Sequence, residues 1–123
     1  MLPRDTEMAA AGLRAFTRIA TLWQLSVAEQ LRLLGLNSKS TYFKWRKDAH
    51  ARLPRDTVER LSYLLGIYQA LQILLPQPAA ADQWLRRPND AAPFGGRSAL
   101  DRMLSGQVAD LFLVRQYLDA QRG

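Results

Sequence analysis

The chain has 123 residues, of which 48% are hydrophobic and 23% are charged, a balance typical of a folded globular protein rather than a disordered one. It contains no cysteine, which excludes disulfides and thiolate metal sites, and its single histidine, His50, has no cluster of other ligand side chains around it. The net charge of +6 points to polyanions as partners, either nucleic acid or an acidic protein surface.

The positive charge is concentrated in the first part of the chain. Residues 1–75 carry 11 lysines and arginines against 6 acids, whereas residues 76–123 carry 6 against 5. No apolar run is long enough to cross a membrane, and the opening MLPRDTEM lacks the pattern of a signal peptide. We therefore expect a soluble, cytoplasmic protein with no metal or cofactor, whose two parts have different partners.

Hydrophobic periodicity predicts helices along the chain, because no stretch alternates at period two and β-branched residues are scarce. A first helix is predicted from about Thr6 to Trp23. Its expected apolar face is formed by Met8, Gly12, Ala15, Phe16, Ile19 and Trp23.

A second helix is predicted to open at Ser26, with Glu29 as the partner in a capping box. It ends at Gly35, a residue type that tolerates the left-handed conformation found after helices. Its expected buried side consists of Val27, Leu31 and Leu34.

The third helix, capped by Asn37 or Ser38, carries the basic stretch SKSTYFKWRKD at 38–48. Two short helices joined by a tight glycine turn have the spacing of a helix-turn-helix, in which the second helix enters the major groove of DNA. The alternative is a solvated cationic helix on a helical bundle. The candidate base contacts are Ser38, Lys39, Ser40 and Thr41, and the candidate phosphate contacts are Tyr42, Lys44, Arg46 and Lys47.

The aromatic residues of this stretch cannot all face the core, because they occupy neighbouring positions. Phe43 is the expected core residue, and Trp45 is expected to pack partly against the first helix. Tyr42 is expected to expose its hydroxyl to a phosphate.

A long helix then begins at Asp56, the expected N-cap, with Glu59 as its capping-box partner. Its apolar residues cover more than one face, which predicts a spine buried from two sides. The sequence PQP at 76–78 ends this helix and predicts a boundary between residues 1–75 and residues 76–123.

The second half predicts short helices over 79–87 and 98–105 and a last helix over 107–121. Ser98 and Asp101 form a further capping box. Phe94, in the segment FGG, is expected to fill the core at a tight turn, because no Gly-Lys-Ser/Thr follows to complete a phosphate loop. The expected core face of the last helix is Val108, Leu111, Val114 and Leu118.

These segments resemble the Xre/MbcA/ParS-type antitoxin family from about residue 13 to the end. The N-terminal similarity lies in LLGLNSKSTYFKWRKD and LPRDTVERLSYLLGIYQAL, and the more specific C-terminal similarity lies in Trp84-Leu85, Pro88-Asn89, FGGRSALDRMLSG and VADLFLVRQYL. The family commonly has proline where this chain has Ala99, a change that the first position of a helix tolerates. The resemblance implies an all-α fold, in which an Xre-like helix-turn-helix bundle is joined by the spine helix to a small helical toxin-binding domain.

The resemblance also implies the antitoxin of a type II toxin–antitoxin system. Its partner would be a RES-type toxin that consumes NAD, and the antitoxin would block the toxin's active site and repress its own promoter, without being an enzyme. The candidate toxin contacts lie on the last helix and the tail, where Tyr and Arg are typical interface anchors. They are Leu113, Arg115, Tyr117, Gln121 and Arg122, of which Leu113 and Tyr117 form an expected exposed pair.

Two other functions are compatible with the residues. The chain could be a stand-alone Xre-type repressor whose C-terminal half only dimerises, or a protein-binding module that has lost DNA binding. A homodimer is expected if the protein reads a palindrome. No nucleophile and base are arranged for catalysis.

Overall fold

The structure is a computed structural model that describes residues 3–123, with side chains described from Thr6 onward. The expectation about the opening MLPRDTEM includes residues 1 and 2, which lie outside the described residues. Within residues 3–123 the architecture is all-α, as predicted, with no strand beyond an isolated bridge between Pro88 and Ser98. The seven helices of this part are α1 (Pro3–Leu22), α2 (Val27–Leu34), α3 (Lys39–Lys47), α4 (Arg55–Leu74), α5 (Pro78–Trp84), α6 (Ala99–Met103) and α7 (Val108–Gln121).

The buried face of α1 is rotated from the prediction. Met8 is 64% exposed, so its assignment to the core was wrong, whereas Phe16, Ile19 and Trp23 are buried as expected. The face is centred on Leu13, which is 1% exposed. Steps of three and four residues run through Ala9, Leu13, Phe16 and Ala20, and Met8 lies at the edge of this face rather than at its centre.

The capping box that starts α2 is present as predicted. The Ser26 hydroxyl accepts a hydrogen bond from the Glu29 backbone at 3.1 Å, and the Ser26 backbone donates to the Glu29 carboxylate at 2.8 Å. Gly35 ends the helix with φ of 71°, the left-handed conformation expected of it. The core side differs in part, because Leu33 and Leu34 are buried while Val27 and Leu31 are only partly buried.

The spine prediction for α4 is confirmed, since this helix packs against α1 and α2 of the first half and against α5 and α7 of the second. Its start was predicted wrongly. The N-cap is Pro54 rather than Asp56, and no side chain caps it. Asp56 instead accepts a 2.8 Å hydrogen bond from Arg60, and Glu59 accepts one from the Tyr63 hydroxyl at 3.1 Å.

In the C-terminal half, α5 and α7 pack against the spine and α6 packs against α7. The Ser98 hydroxyl accepts from the Asp101 backbone at 3.0 Å, which starts α6 at the predicted place. This helix ends at Met103, before the predicted residue 105, and Gly106 follows with φ of 90°. Phe94 is buried at the predicted turn.

Candidate functional site

The helix α3 stands where the second helix of a helix-turn-helix would lie. It packs against α1 and α2, and the turn that leads to it contains Gly35. Ser38 is the N-cap, because its hydroxyl accepts a 3.2 Å hydrogen bond from the Thr41 backbone. The contacts of α3 with α1 and α2 fix which side of α3 faces outward.

The inward aromatic of α3 is Tyr42, not Phe43. Tyr42 is 0% exposed, and its hydroxyl donates to the side-chain oxygen of Gln30 at 2.7 Å. Burial raises the pKa of Tyr42, and the positive charge of Arg46 opposes that rise. The expectations that Tyr42 offers its hydroxyl to a phosphate and that Phe43 fills the core were both wrong. Trp45 is partly buried against the core, three positions from Tyr42 on the same side of the helix.

The outward side of α3 is a cationic face, defined here as Lys39, Lys44, Arg46 and Lys47. All four side chains are exposed, as is Ser40, whereas Ser38 and Thr41 are partly buried. The Arg46 guanidinium lies 5.2 Å from the centre of the Phe43 ring and 5.6 Å from that of Tyr42. Four cations on one short helix, with no acid among residues 39–47, create a local positive potential.

A cleft of about 420 Å³ lies beside the start of α3. It is lined by Ser38 and Thr41 at the start of α3, by Arg32 of α2 and by Gly106 of the C-terminal half. The two halves of the chain therefore meet next to the end of α3 that was predicted to face the bases.

The second candidate surface is α7. Leu111, Val114 and Leu118 are buried, which confirms most of the predicted core face. Arg115 reaches back over the spine, where it donates to the Ser62 carbonyl at 3.2 Å. Its guanidinium occupies the space above Gly66, since a Cβ placed there would come within 2.5 Å of Arg115.

The predicted toxin contacts are divided between two sides of α7. Tyr117 stacks on Trp84 with ring centres 6.4 Å apart and meets the edge of Phe94 at 5.1 Å. Leu113 and Tyr117 are both partly buried, so the expectation of an exposed pair was wrong. They lie four residues apart on one side of the helix.

Arg115 and Arg122 occupy another side of α7, where both approach Asp119, at 3.5 and 3.7 Å. Gln121 and Arg122 are exposed. Ion pairs at the surface hold their partners only weakly, so the exposed Arg122 side chain can meet a partner. Arg115 is held further by its hydrogen bond to the Ser62 carbonyl.

An exposed aromatic on α7 was missed by the sequence reasoning. Phe112 is 49% exposed and touches the Tyr63 ring at 5.7 Å between centres. It stands in the run LFLV, which is apolar on every side of the helix, so periodicity could not separate the outward residue from the inward ones.

Two further classes of site are absent from the described part of the chain. Among the side chains that the structure describes, those of residues 6–123, no group of three or more His, Asp or Glu is placed to hold a metal ion. No helix within residues 3–123 combines the length and the apolar character needed to span a membrane.

Comparison with known proteins assigns both halves. Residues 3–66 match the antitoxin Xre-like helix-turn-helix domain, and residues 70–123 match the antitoxin Xre/MbcA/ParS C-terminal toxin-binding domain. The chain is also 56% identical over 119 residues to the uncharacterized protein y4oB of Sinorhizobium fredii (strain NBRC 101917 / NGR234), covering 97% of this chain and 90% of that protein. The chain therefore belongs to the Xre/MbcA/ParS antitoxin family and joins an Xre-like helix-turn-helix domain to a C-terminal toxin-binding domain.

Proposed function

We propose that this antitoxin neutralises a RES-type, NAD-consuming toxin by occluding its active site, and that it represses its own promoter through α3. The observation that carries the DNA half is the cationic face of α3, which is exposed at the position of a recognition helix. The observation that supports the toxin half is the exposed cationic end of α7 within the toxin-binding domain.

For DNA, Lys39 and Ser40 begin the helix that would enter the major groove, and Lys39 can donate to guanine. Lys44, Arg46 and Lys47 would contact phosphates, which attract cations and release counterions when bound. Ser38 and Thr41 are partly buried around the cap, so we propose contacts through their exposed atoms only. Tyr42 takes no part, because its hydroxyl is committed to Gln30.

The test of DNA binding is a salt titration with a duplex spanning the region upstream of the chain's own reading frame. Replacing Lys39, Lys44 and Lys47 together by Ala should weaken binding and reduce the steepness of log K against log salt by about 2, since the lost phosphate contacts of Lys44 and Lys47 each remove about 0.9. Arg87→Ala, which removes a cation far along the chain, is the matched control. A triple variant that binds like the wild type would exclude this face as the DNA interface.

For the toxin, the end of α7 offers the contacts. A RES-type toxin must bind an anionic dinucleotide, so its active-site mouth should attract a cationic tail such as Arg122. We propose that Gln121 and Arg122 enter this mouth while Leu113, Arg115 and Tyr117 form the surrounding contact. Removing residues from 117 onward would also break the packing of Tyr117 with Trp84 and Phe94, so a point variant is the cleaner probe.

The test of neutralisation is co-expression with the product of the adjacent reading frame, with growth as the readout. If that product alone stops growth, wild-type antitoxin should restore it and co-purify with it. Arg122→Glu should reduce both effects, whereas Arg87→Glu, the same charge reversal at an exposed residue after α5, should not. A harmless neighbour that does not co-purify would instead favour the stand-alone repressor.

We further propose a cytoplasmic homodimer, with the chain divided at residues 75 and 76. A dimer that reads a palindrome would place its two α3 helices about one turn of DNA apart, roughly 34 Å. Light scattering of the purified full chain measures the oligomeric state directly, and a monomer at concentrations that saturate the promoter duplex would contradict the dimer.

A further inference from the structure

The C-terminal half presents three successive backbone carbonyls to arginines of the N-terminal half. These carbonyls belong to residues 104–106, named here the 104–106 loop, which joins α6 to α7. Arg32 donates from Nε to the Leu104 carbonyl and from Nη2 to the Ser105 carbonyl, both at 2.8 Å. Arg60 donates from Nη2 to the Gly106 carbonyl at 3.0 Å. Each is a charge-assisted hydrogen bond across the two halves.

The same two arginines hold the turn before α3. Arg32 lies in the last turn of α2, and a Cβ added to Gly35 would come within 2.7 Å of Arg60 Nε. Arg60 is only 8% exposed and is fixed by Asp56 at 2.8 Å. The turn at Gly35 therefore packs directly on the buried Arg60, whose guanidinium also donates a hydrogen bond to the Gly106 carbonyl of the C-terminal half.

The 104–106 loop is itself anchored to the beginning of α7. The Asp110 carboxylate accepts a 2.8 Å hydrogen bond from Arg102 Nε, and its second oxygen accepts from the Ser105 hydroxyl. The Ser105 hydroxyl also accepts from the Gln107 backbone at 3.1 Å. Because the 104–106 loop is held at both ends, its carbonyls have fixed positions. The loop can therefore restrain the side chains of Arg32 and Arg60 instead of moving with them.

We infer that Arg32 and Arg60 are positioning residues for DNA recognition, through which the toxin-binding half fixes the orientation of the turn and of α3. The inference rests on the proposed DNA binding. If the hydrogen bonds of Arg32 and Arg60 were lost, α3 of the unbound protein would sample other orientations. Only the fraction of molecules with α3 oriented to fit the major groove would then bind DNA. If that fraction fell to one tenth, the apparent Kd would rise about tenfold.

The experiment measures the affinity of the full chain for the upstream duplex over a range of salt. Arg32→Gln should raise Kd about tenfold with an unchanged salt slope, because the arginine positions the helix without touching phosphate. Asp110→Asn distinguishes the two explanations by the direction in which the affinity for DNA changes. It removes a negative charge, so electrostatics alone predicts equal or tighter binding, whereas a loosened loop predicts weaker binding. Arg87→Gln is the control for loss of one cation.

Thermal unfolding of each variant, followed by circular dichroism, ensures that affinities are compared at a temperature where every chain is folded. A salt slope lowered by about 1 in Arg32→Gln would make Arg32 a phosphate contact and overturn the inference. Tighter binding by Asp110→Asn would overturn it as well. If the triple lysine variant loses binding while Arg32→Gln and Asp110→Asn keep it, only this inference fails. If the triple variant also binds normally, the proposed DNA interface itself fails.

Discussion

Removing the Tyr42 hydroxyl should destabilise the protein by about 1 kcal/mol, because Tyr42→Phe deletes one buried hydrogen bond. The ring is 0% exposed and would keep its packing, so only the 2.7 Å bond to Gln30 is lost. Gln30 is partly buried and can regain a bond to water, which keeps the loss near this value rather than higher. For a chain of this length the melting temperature should fall by about 4 °C.

The same variant carries a pH signature. Burial raises the pKa of Tyr42 above its ordinary value of 10.0, so the unfolded chain releases this proton at lower pH than the folded one. The stabilisation from Tyr42 is therefore fully present below pH 10 and is lost as the pH rises through the folded-state pKa. The stability difference between wild type and Tyr42→Phe should shrink above pH 10.

The assay is urea unfolding of both proteins from pH 7 upward, followed by circular dichroism. The difference between the free energies of unfolding of the two proteins removes the contributions that are common to both. Ser40→Ala, at an exposed position of α3, is the matched control and should leave the alkaline dependence unchanged. A Tyr42→Phe protein as stable as wild type at pH 7, or a difference that stays constant above pH 10, would refute this account of the α3 anchor.

Three further changes test the fold by urea unfolding. Ser26→Ala should cost about 1 kcal/mol, because it removes the side chain that caps α2, while Ser40→Ala, exposed on α3, should cost much less. Leu64→Ala, at a fully buried position of the spine, should cost about 2–5 kcal/mol by leaving a cavity. Gly35→Ala should cost at least about 1–2 kcal/mol, because the left-handed φ of 71° strains any L residue. If Leu64→Ala or Gly35→Ala lowers the free energy of unfolding by less than about 0.5 kcal/mol, the packing described here is contradicted.

Local signals in the sequence predicted local structure well. The pair Ser26 and Glu29 and the residue Gly35 fixed both ends of α2, because caps and left-handed glycines act through neighbouring backbone groups alone. Ser98 did the same for the start of α6. The breadth of the apolar surface on α4 was enough to predict a helix covered from two sides.

Signals that depend on distant partners were harder to interpret. Asp56 has the sequence context of a cap, yet it pairs with Arg60, whose other end binds the carbonyl of Gly106 far along the chain. Helix α4 therefore begins at Arg55, and Pro54 takes the cap position without a side-chain bond. The 104–106 loop, which binds Arg60 and keeps it from solvent, is far from Arg60 in the sequence, so no local pattern could predict this contact.

The wrong predictions that the Tyr42 hydroxyl is exposed on α3 and that Tyr117 is exposed on α7 have one cause. A helical step of one residue turns a side chain by 100°, so choosing between Tyr42 and Phe43 requires the exact phase of α3 against α1 and α2. That phase is set by a tertiary bond, from Tyr42 to Gln30, and the phase of α7 is set by the stacking of Tyr117 on Trp84. In both helices an amphipathic aromatic with a polar tip is used inside the protein. With Tyr42 inside the protein, Lys39 and the neighbouring cations of α3 are the groups that face the proposed DNA partner, and Arg122 on α7 is the exposed cation that faces the proposed toxin.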